Sequence, residues 1–300
     1  MVLHYSNALS VILGGLRMIR GKETQKMEQR ATKTFAPGYP RNDKGWLLFP
    51  NDTSDRRNLF FPPEVFKHPA KMNFHLQQEI IEYVSEPGDI LLDPFGGTGT
   101  LMIAALQGCR VVLIEVEDGY QKLQQQAKEE LTRQVPEAGS LVTLIKGDCR
   151  IILPFPCNHI ITSPPYAGAM DIRRVRKRRK DAPDDWLVQQ DAQMLEYSKS
   201  PQNISKLNTF TYNMEMERIY RKCYGSLVPG GTLTTIVKDR IEGGERIYLG
   251  KWAEKVCHSA GFKTELWEKW KAPGHGFTKI AKSQGKEVVD DEDIIIMRKE

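Results

Sequence analysis

No stretch of this 300-residue chain approaches the roughly 18 consecutive apolar positions that a membrane span requires, so no membrane partner is expected. Cysteine is sparse as well. Its five copies (Cys109, Cys149, Cys157, Cys223 and Cys257) are scattered and form no CxxC pair. Neither a disulfide framework nor a metal site is indicated, and free thiols in a reducing compartment are expected. The apolar patch VILGGL (11–16) has no basic start before it and no small-residue cleavage site after it, which argues against a secretory signal. The expected location is the cytoplasm, in association with the nucleoid. The first 26 residues are poorly patterned, and Met18 or Met27 would serve as an alternative start. There is no internal repeat.

Acid is missing from one place in particular. Residues 173–180 read RRVRKRRK, seven basic positions in eight with no carboxylate among them. The chain's 43 basic residues outnumber its 38 acidic ones only because of this run, so the net charge of +5 resides in one segment. Such a run is either a solvated loop or a nucleic-acid contact, and composition leaves both open.

What is present in quantity is core. Three hundred residues, 40% hydrophobic, can bury one large domain or one domain with an insertion. Short apolar strands alternate with helical patterns from about residue 89. DILLDPF (89–95), RVVLIEV (110–116), LVTLIKGD (141–148) and NHIITSPPY (158–166) read as strands, with helices at 100–108 and 119–134 between them. A helix at 214–228, a strand at 230–239, a helix at 248–260 and an antiparallel pair at 261–272 and 291–299 complete the pattern. An open, mostly parallel sheet of about seven strands with helices on both faces is expected. Residues 27–70, rich in proline, charge and aromatics, read as an ordered arm without helix or strand. The expected organisation is an arm at 1–67 and a catalytic domain at 68–300, interrupted by an inserted segment at 167–210 that holds the basic run.

DPFGGTGT (93–100) lies where a strand feeds a helix, so its backbone can approach a ligand and the helix offers free N–H groups. Alone it is a weak signal, because dinucleotide folds use a similar turn. Glu115 ends the next strand, where a carboxylate can accept both hydroxyls of a ribose, and Asp148 follows the third, near an adenine amino group. Asp93 would repel a pyrophosphate but suits a cationic ammonium. Adenosine, a sulfonium and an amino-acid head together describe S-adenosylmethionine.

SPPY (163–166) follows the fourth strand at the same edge. An exocyclic amine on a base is a poor nucleophile, because its lone pair is delocalised into the ring. Acceptors that hold its N–H protons tetrahedrally free that pair, and the Ser163 hydroxyl with the Pro164 carbonyl can do so. Pro164 and Pro165 restrict the backbone that aims them. Tyr166 offers a flat face for a base extruded from a duplex.

DPFGGTGT together with SPPY resembles the S-adenosylmethionine-dependent DNA amino-methyltransferases, and the serine form resembles their cytosine-N4 group; adenine-N6 members more often have aspartate or asparagine there. HPAKMNFHLQQEIIEYVSEPGD (68–89) resembles the family's segment that folds over the methionine end of the cofactor. The resemblance runs over roughly 68–300 and implies a Rossmann-like class I methyltransferase fold that acts on DNA by base flipping. It assigns Lys71, Met72, Phe74, Asp93, Phe95, Gly97, Thr98, Gly99 and Thr100 to the cofactor pocket, beside Glu115 and Asp148. Ser163, Pro164, Pro165 and Tyr166 become the catalytic loop. Arg173, Arg174, Arg176, Lys177, Arg178, Arg179 and Lys180 become the DNA contact. A cognate restriction endonuclease is a partner the family allows and the sequence does not reveal.

Two departures stand out. Many cytosine-N4 enzymes place the catalytic half first, whereas here the cofactor half leads. Thr98 replaces the commoner serine and keeps a hydroxyl. Pro156–Cys157 resembles the proline–cysteine of cytosine-C5 methyltransferases, but it precedes the fourth strand, away from the ligand edge, and reads as a structural thiol. Adenine-N6 methylation, RNA methylation and a retired, DNA-binding methyltransferase fold remain open alternatives. A dehydrogenase is the weakest, since it would have no use for SPPY.

Overall fold

The computed structural model describes residues 33–67, 72–167, 200–272 and 283–300. Lys71, the basic run 173–180 and the segment HGFTK (275–279) lie outside the described residues. In chain order the elements are α1 (Thr53–Arg57), a 3-10 turn (Pro63–Lys67), α2 (Phe74–Val84), β1 (Ile90–Asp93), a 3-10 helix (Thr100–Gln107) and β2 (Arg110–Glu115). Next come α3 (Asp118–Gln134), α4 (Pro136–Ser140), β3 (Val142–Lys146), α5 (Cys149–Ile152) and β4 (Cys157–Thr162). A 3-10 turn (Ile204–Lys206), α6 (Thr209–Ser226), β5 (Leu227–Val237), β6 (Arg240–Glu242), β7 (Glu245–Ile247), α7 (Leu249–Ser259), β8 (Phe262–Lys271) and β9 (Asp291–Lys299) follow.

Seven strands form one sheet in the order β3-β2-β1-β4-β5-β9-β8. Neighbours from β3 to β5 are parallel, and β9 pairs antiparallel with both β5 and β8. This is the expected Rossmann-like class I methyltransferase architecture. The strands are apolar on both sides because both faces are covered. Leu91, Val111, Leu113, Ile294 and Ile296 enter one core cluster, while their neighbours Ile90, Leu92, Val112, Ile114 and Ile295 enter the other. The strand order reverses between β1 and β4, which opens a crevice at the carboxyl ends of those strands.

Three boundaries differ from the sequence reading. The stretch after the glycine turn is 3-10 rather than α-helix, entered from Gly99 and closed by Gly108, both left-handed. The fourth strand stops at Thr162, where the prolines of SPPY can no longer donate to a ladder. The arm carries α1 and a 3-10 turn, and it also pairs with the sheet: Leu47 N–H donates to Lys269 O (2.8 Å), and Leu47 O accepts from Lys271 N–H (2.9 Å). That pairing covers the free edge of β8, and Arg41 adds a two-pronged bond to Glu268 at 2.7 and 2.9 Å. Phe35, Leu47, Phe60, Phe61 and Val65 are buried in the same core cluster as α2. No helix among the described residues is long and apolar enough to cross a membrane.

Candidate active site

The chain turns sharply after β1. Gly97 (φ +50°) and Gly99 (φ +82°) are left-handed, and a Cβ on Gly99 would meet Gln124 Cγ and Met102 Cε at 2.9 Å. Gln124 clamps the turn from α3, its Nε2 donating to Gly97 O at 2.8 Å. Asp93 holds the base of the turn. Its Oδ1 accepts from Phe95 N–H (2.9 Å) and from the Thr162 hydroxyl (2.7 Å), and burial pushes its carboxyl up to about 6. Thr98 is buried, and Thr100 faces the Gln77 amide of α2, which in its satisfied orientation donates to Thr100 Oγ1 at 3.2 Å.

Glu115 ends β2 beside this turn. Its two oxygens accept from Gly97 N–H and Glu117 N–H, both at 2.7 Å. Burial is the larger influence and pushes its carboxyl up to about 7, against the lowering effect of those N–H groups. Asp148 caps α5, accepting from Arg150 N–H (2.9 Å), and the Arg150 guanidinium clasps both its oxygens.

A wall comes from residues that the sequence did not single out. The buried Glu117 carboxylate accepts from Ser200 N–H (3.0 Å) and Asn203 Nδ2 (2.8 Å), while Arg150 Nη2 donates to Gln202 O at 3.0 Å. These bonds strap residues 200–205, the end of the inserted segment, against the ends of β2 and β3. The only local sign was NIS (203–205), an asparagine poised to cap a turn; its side chain accepts from Ser205 N–H at 2.9 Å.

Together these elements enclose a cleft of about 930 Å³, counting its open mouth. Phe95, Gly97, Glu115, Asp148 and Ser163 to Tyr166 all line it, as do Glu117 and Gln202 to Ser205. Asp93, Thr98, Gly99 and Thr100 do not line it; they support the turn that does. Met72 and Phe74 pack against the core cluster, and Met72 O accepts from the buried Arg56. Asn73, between them, caps α2 by accepting from His75 N–H (2.9 Å) and Leu76 N–H (3.1 Å).

The SPPY loop is fixed from three sides. The Ser163 hydroxyl donates to Ile236 O (3.3 Å), the Tyr212 hydroxyl donates to Pro165 O (2.6 Å), and the Tyr166 hydroxyl accepts from Lys238 N–H (2.6 Å). Burial raises the pKa of both phenols, so they stay neutral and serve as props. A second pocket of about 720 Å³, again counting its open mouth, lies against the same loop, with Tyr212, Arg240, Tyr248 and Trp252 in its walls. Pro164 and Tyr166 line both cavities. Cys157 is the first residue of β4 and fully buried, its Sγ directed to Ser226 O, and burial pushes its thiol up. A thiol there is structural. No cluster of three or more metal-ligating side chains occurs among the described residues.

A DNA methylase family model matches residues 17–128, from the arm to the middle of α3, and ends before the SPPY loop. No curated protein sequence matches the chain. Solved structures with a similar fold include a methyltransferase from Pyrococcus furiosus, 14% identical with a TM-score of 0.48 over 83% of this chain and 94% of that one. TrmN from Thermus thermophilus is 13% identical, with a TM-score of 0.46 over 79% of this chain. The match spans about half, 52%, of TrmN's own length. The glycopeptide N-methyltransferase MtfA, solved with S-adenosyl-L-methionine, is 11% identical, with a TM-score of 0.45 over 78% of this chain and 90% of that one.

Proposed function

We propose, from the match of a DNA methylase family model to residues 17–128, that this chain transfers a methyl group from S-adenosylmethionine to the N4 amine of cytosine in DNA. The observation that carries this reading is the meeting of two cavities at Pro164 and Tyr166. A transferase of this kind needs a donor and an acceptor on opposite sides of one loop.

The cleft fits the donor. Glu115 spends two lone-pair positions on backbone N–H groups and keeps the others for a pair of ribose hydroxyls. Phe95, Ile114 and Ile204 supply apolar walls for an adenine. Bound there, the cofactor supplies a methyl group on a positively charged sulfur.

The chain's own residues do the rest. Ser163 donates its single proton to Ile236 O, which leaves its oxygen free to accept an amine N–H. Pro164 and Pro165 hold the adjoining carbonyls in place, and Tyr212 fixes the second of them. With its hydroxyl pinned to Lys238 N–H, the Tyr166 ring presents a fixed plane on which a base stacks. Positioning of this sort would be the main catalytic demand: the N–CH3 bond would form as the S–CH3 bond breaks, a neutral thioether would leave, and the surplus amine proton would pass to water, with no covalent enzyme intermediate. The basic run, seven residues beyond Tyr166, serves in this reading to grip the DNA backbone.

Incubating the protein with methyl-labelled S-adenosylmethionine and either duplex DNA or RNA tests the substrate class. Label is expected in DNA. Label confined to RNA, or in neither, overturns the proposal.

A further inference from the structure

We infer that Arg240 reads the far edge of the base held against Tyr166 and thereby favours cytosine over adenine; this rests on the reading of the aromatic pocket as the target-base site. Among the described residues lining that pocket, Arg240 is the one with a charged side chain. It opens the short hairpin of β6 and β7, where it pairs with Ile247, and its Nη2 meets the Glu242 carboxylate at 2.8 Å. Arg246 of the same hairpin is locked to the buried Asp239 and Asp291, at 2.8 and 2.6 Å. The guanidinium is thus mounted on a rigid frame and oriented by a carboxylate.

Its Nε is buried and has no acceptor among the described residues. A guanidinium whose donors are not all satisfied is costly to hold beside an apolar wall, and because the side chain lines the pocket, its free donors are assigned to what the pocket receives. A DNA phosphate fits less well, because phosphates stay at the mouth, whereas this side chain, about three-quarters buried, lines a pocket together with Tyr212, Tyr248 and Trp252.

With the amine directed to Ser163, cytosine carries N3 next along its edge and the carbonyl O2 beyond it. Both accept hydrogen bonds. Adenine offers N1 there and then a C–H, which accepts none. A guanidinium donor meeting O2 forms a charge-assisted bond, and the same donor facing C–H remains unpaired.

The test compares the unaltered protein with Arg240→Met, which keeps the aliphatic stem, and Arg240→Lys, which keeps a donor. Unmethylated genomic DNA is the substrate, and nucleoside mass spectrometry gives initial rates of N4-methylcytosine and N6-methyladenine formation. Loss of one charge-assisted bond is expected to slow N4-methylcytosine formation about ten- to a hundredfold in Arg240→Met. Arg240→Lys should recover part of the rate, and calorimetric affinity for S-adenosylmethionine should be unchanged in both. An undiminished rate in Arg240→Met overturns the inference and leaves the proposed function standing. So does a loss that appears only as weaker duplex binding with a flatter salt dependence, which would mark a phosphate contact. If the unaltered protein forms no N4-methylcytosine, the proposed function itself fails.

Discussion

The Thr162 hydroxyl donates to Asp93 Oδ1 at 2.7 Å, tying the last residue of β4 to the last residue of β1. One strand leads into the glycine turn and the other into SPPY, so beyond the ladder that pairs β1 with β4 this side-chain bond couples the two loops at the sheet's switch point. Thr162→Val removes the donor at nearly constant volume and leaves a carboxylate with only Phe95 N–H. Activity is expected to fall about tenfold, while S-adenosylmethionine affinity changes much less. Steady-state kinetics beside calorimetry separate the two; equal losses in both would contradict a spacing role.

Cofactor affinity should depend on pH. Glu115 sits near 7 in the free protein, and ribose hydroxyls bond best to its charged form, so binding lowers its pKa and releases a proton. Affinity is therefore expected to rise with pH until about 7 and level off above it, and Glu115→Gln should flatten the profile. The same raised value gives a stability effect of definite sign. Its contribution is fully present below the ordinary glutamate value of 4.5 and is lost as pH rises through about 7. Titrations in buffers of different ionisation enthalpy count the proton; a pH-independent affinity would contradict the assignment of Glu115.

The strap makes its own demand. Asn203→Ala leaves Glu117 with one donor fewer and loosens the wall formed by Gln202 to Ser205. A loss of about 1–2 kcal/mol, near tenfold in cofactor affinity, is expected without global unfolding. Calorimetry with a thermal melt reads both, and an unchanged affinity would mean that the strap does not shape the cleft.

Tyr166→Ala should lose catalysis through lost stacking, about 1–3 kcal/mol per base, with a smaller loss of cofactor affinity because the ring also lines that cleft. Cys157→Ser should remain active, since the thiol is buried at the opposite end of β4 from SPPY. A folded but inactive Cys157→Ser would contradict an amine mechanism.

Much of this was legible in the sequence, for a physical reason. Strands buried on both faces are continuous apolar runs, and each of β1, β2, β3 and β4 ends in or is followed by a residue pattern suited to a ligand edge, so Glu115, Asp148 and the SPPY loop could be placed on one side of the sheet. Glu117 and Asn203 were not legible because their bond spans 86 positions. The docking of Leu47 on β8 and the place of Arg240 likewise depend on tertiary contacts that leave no local periodicity. Asp93 shows the reverse case: its turn was recognised, but its partner, Thr162, belongs to a strand 69 positions away and turns the carboxylate to a supporting task.

The chemical identity of the methylated base is the decisive quantity. DNA from a methylation-deficient host expressing this chain, digested to nucleosides and resolved by mass spectrometry, is expected to contain N4-methylcytosine, and to lose it when Ser163 is replaced by alanine. N6-methyladenine in its place would contradict the choice of base, and 5-methylcytosine would contradict the mechanism.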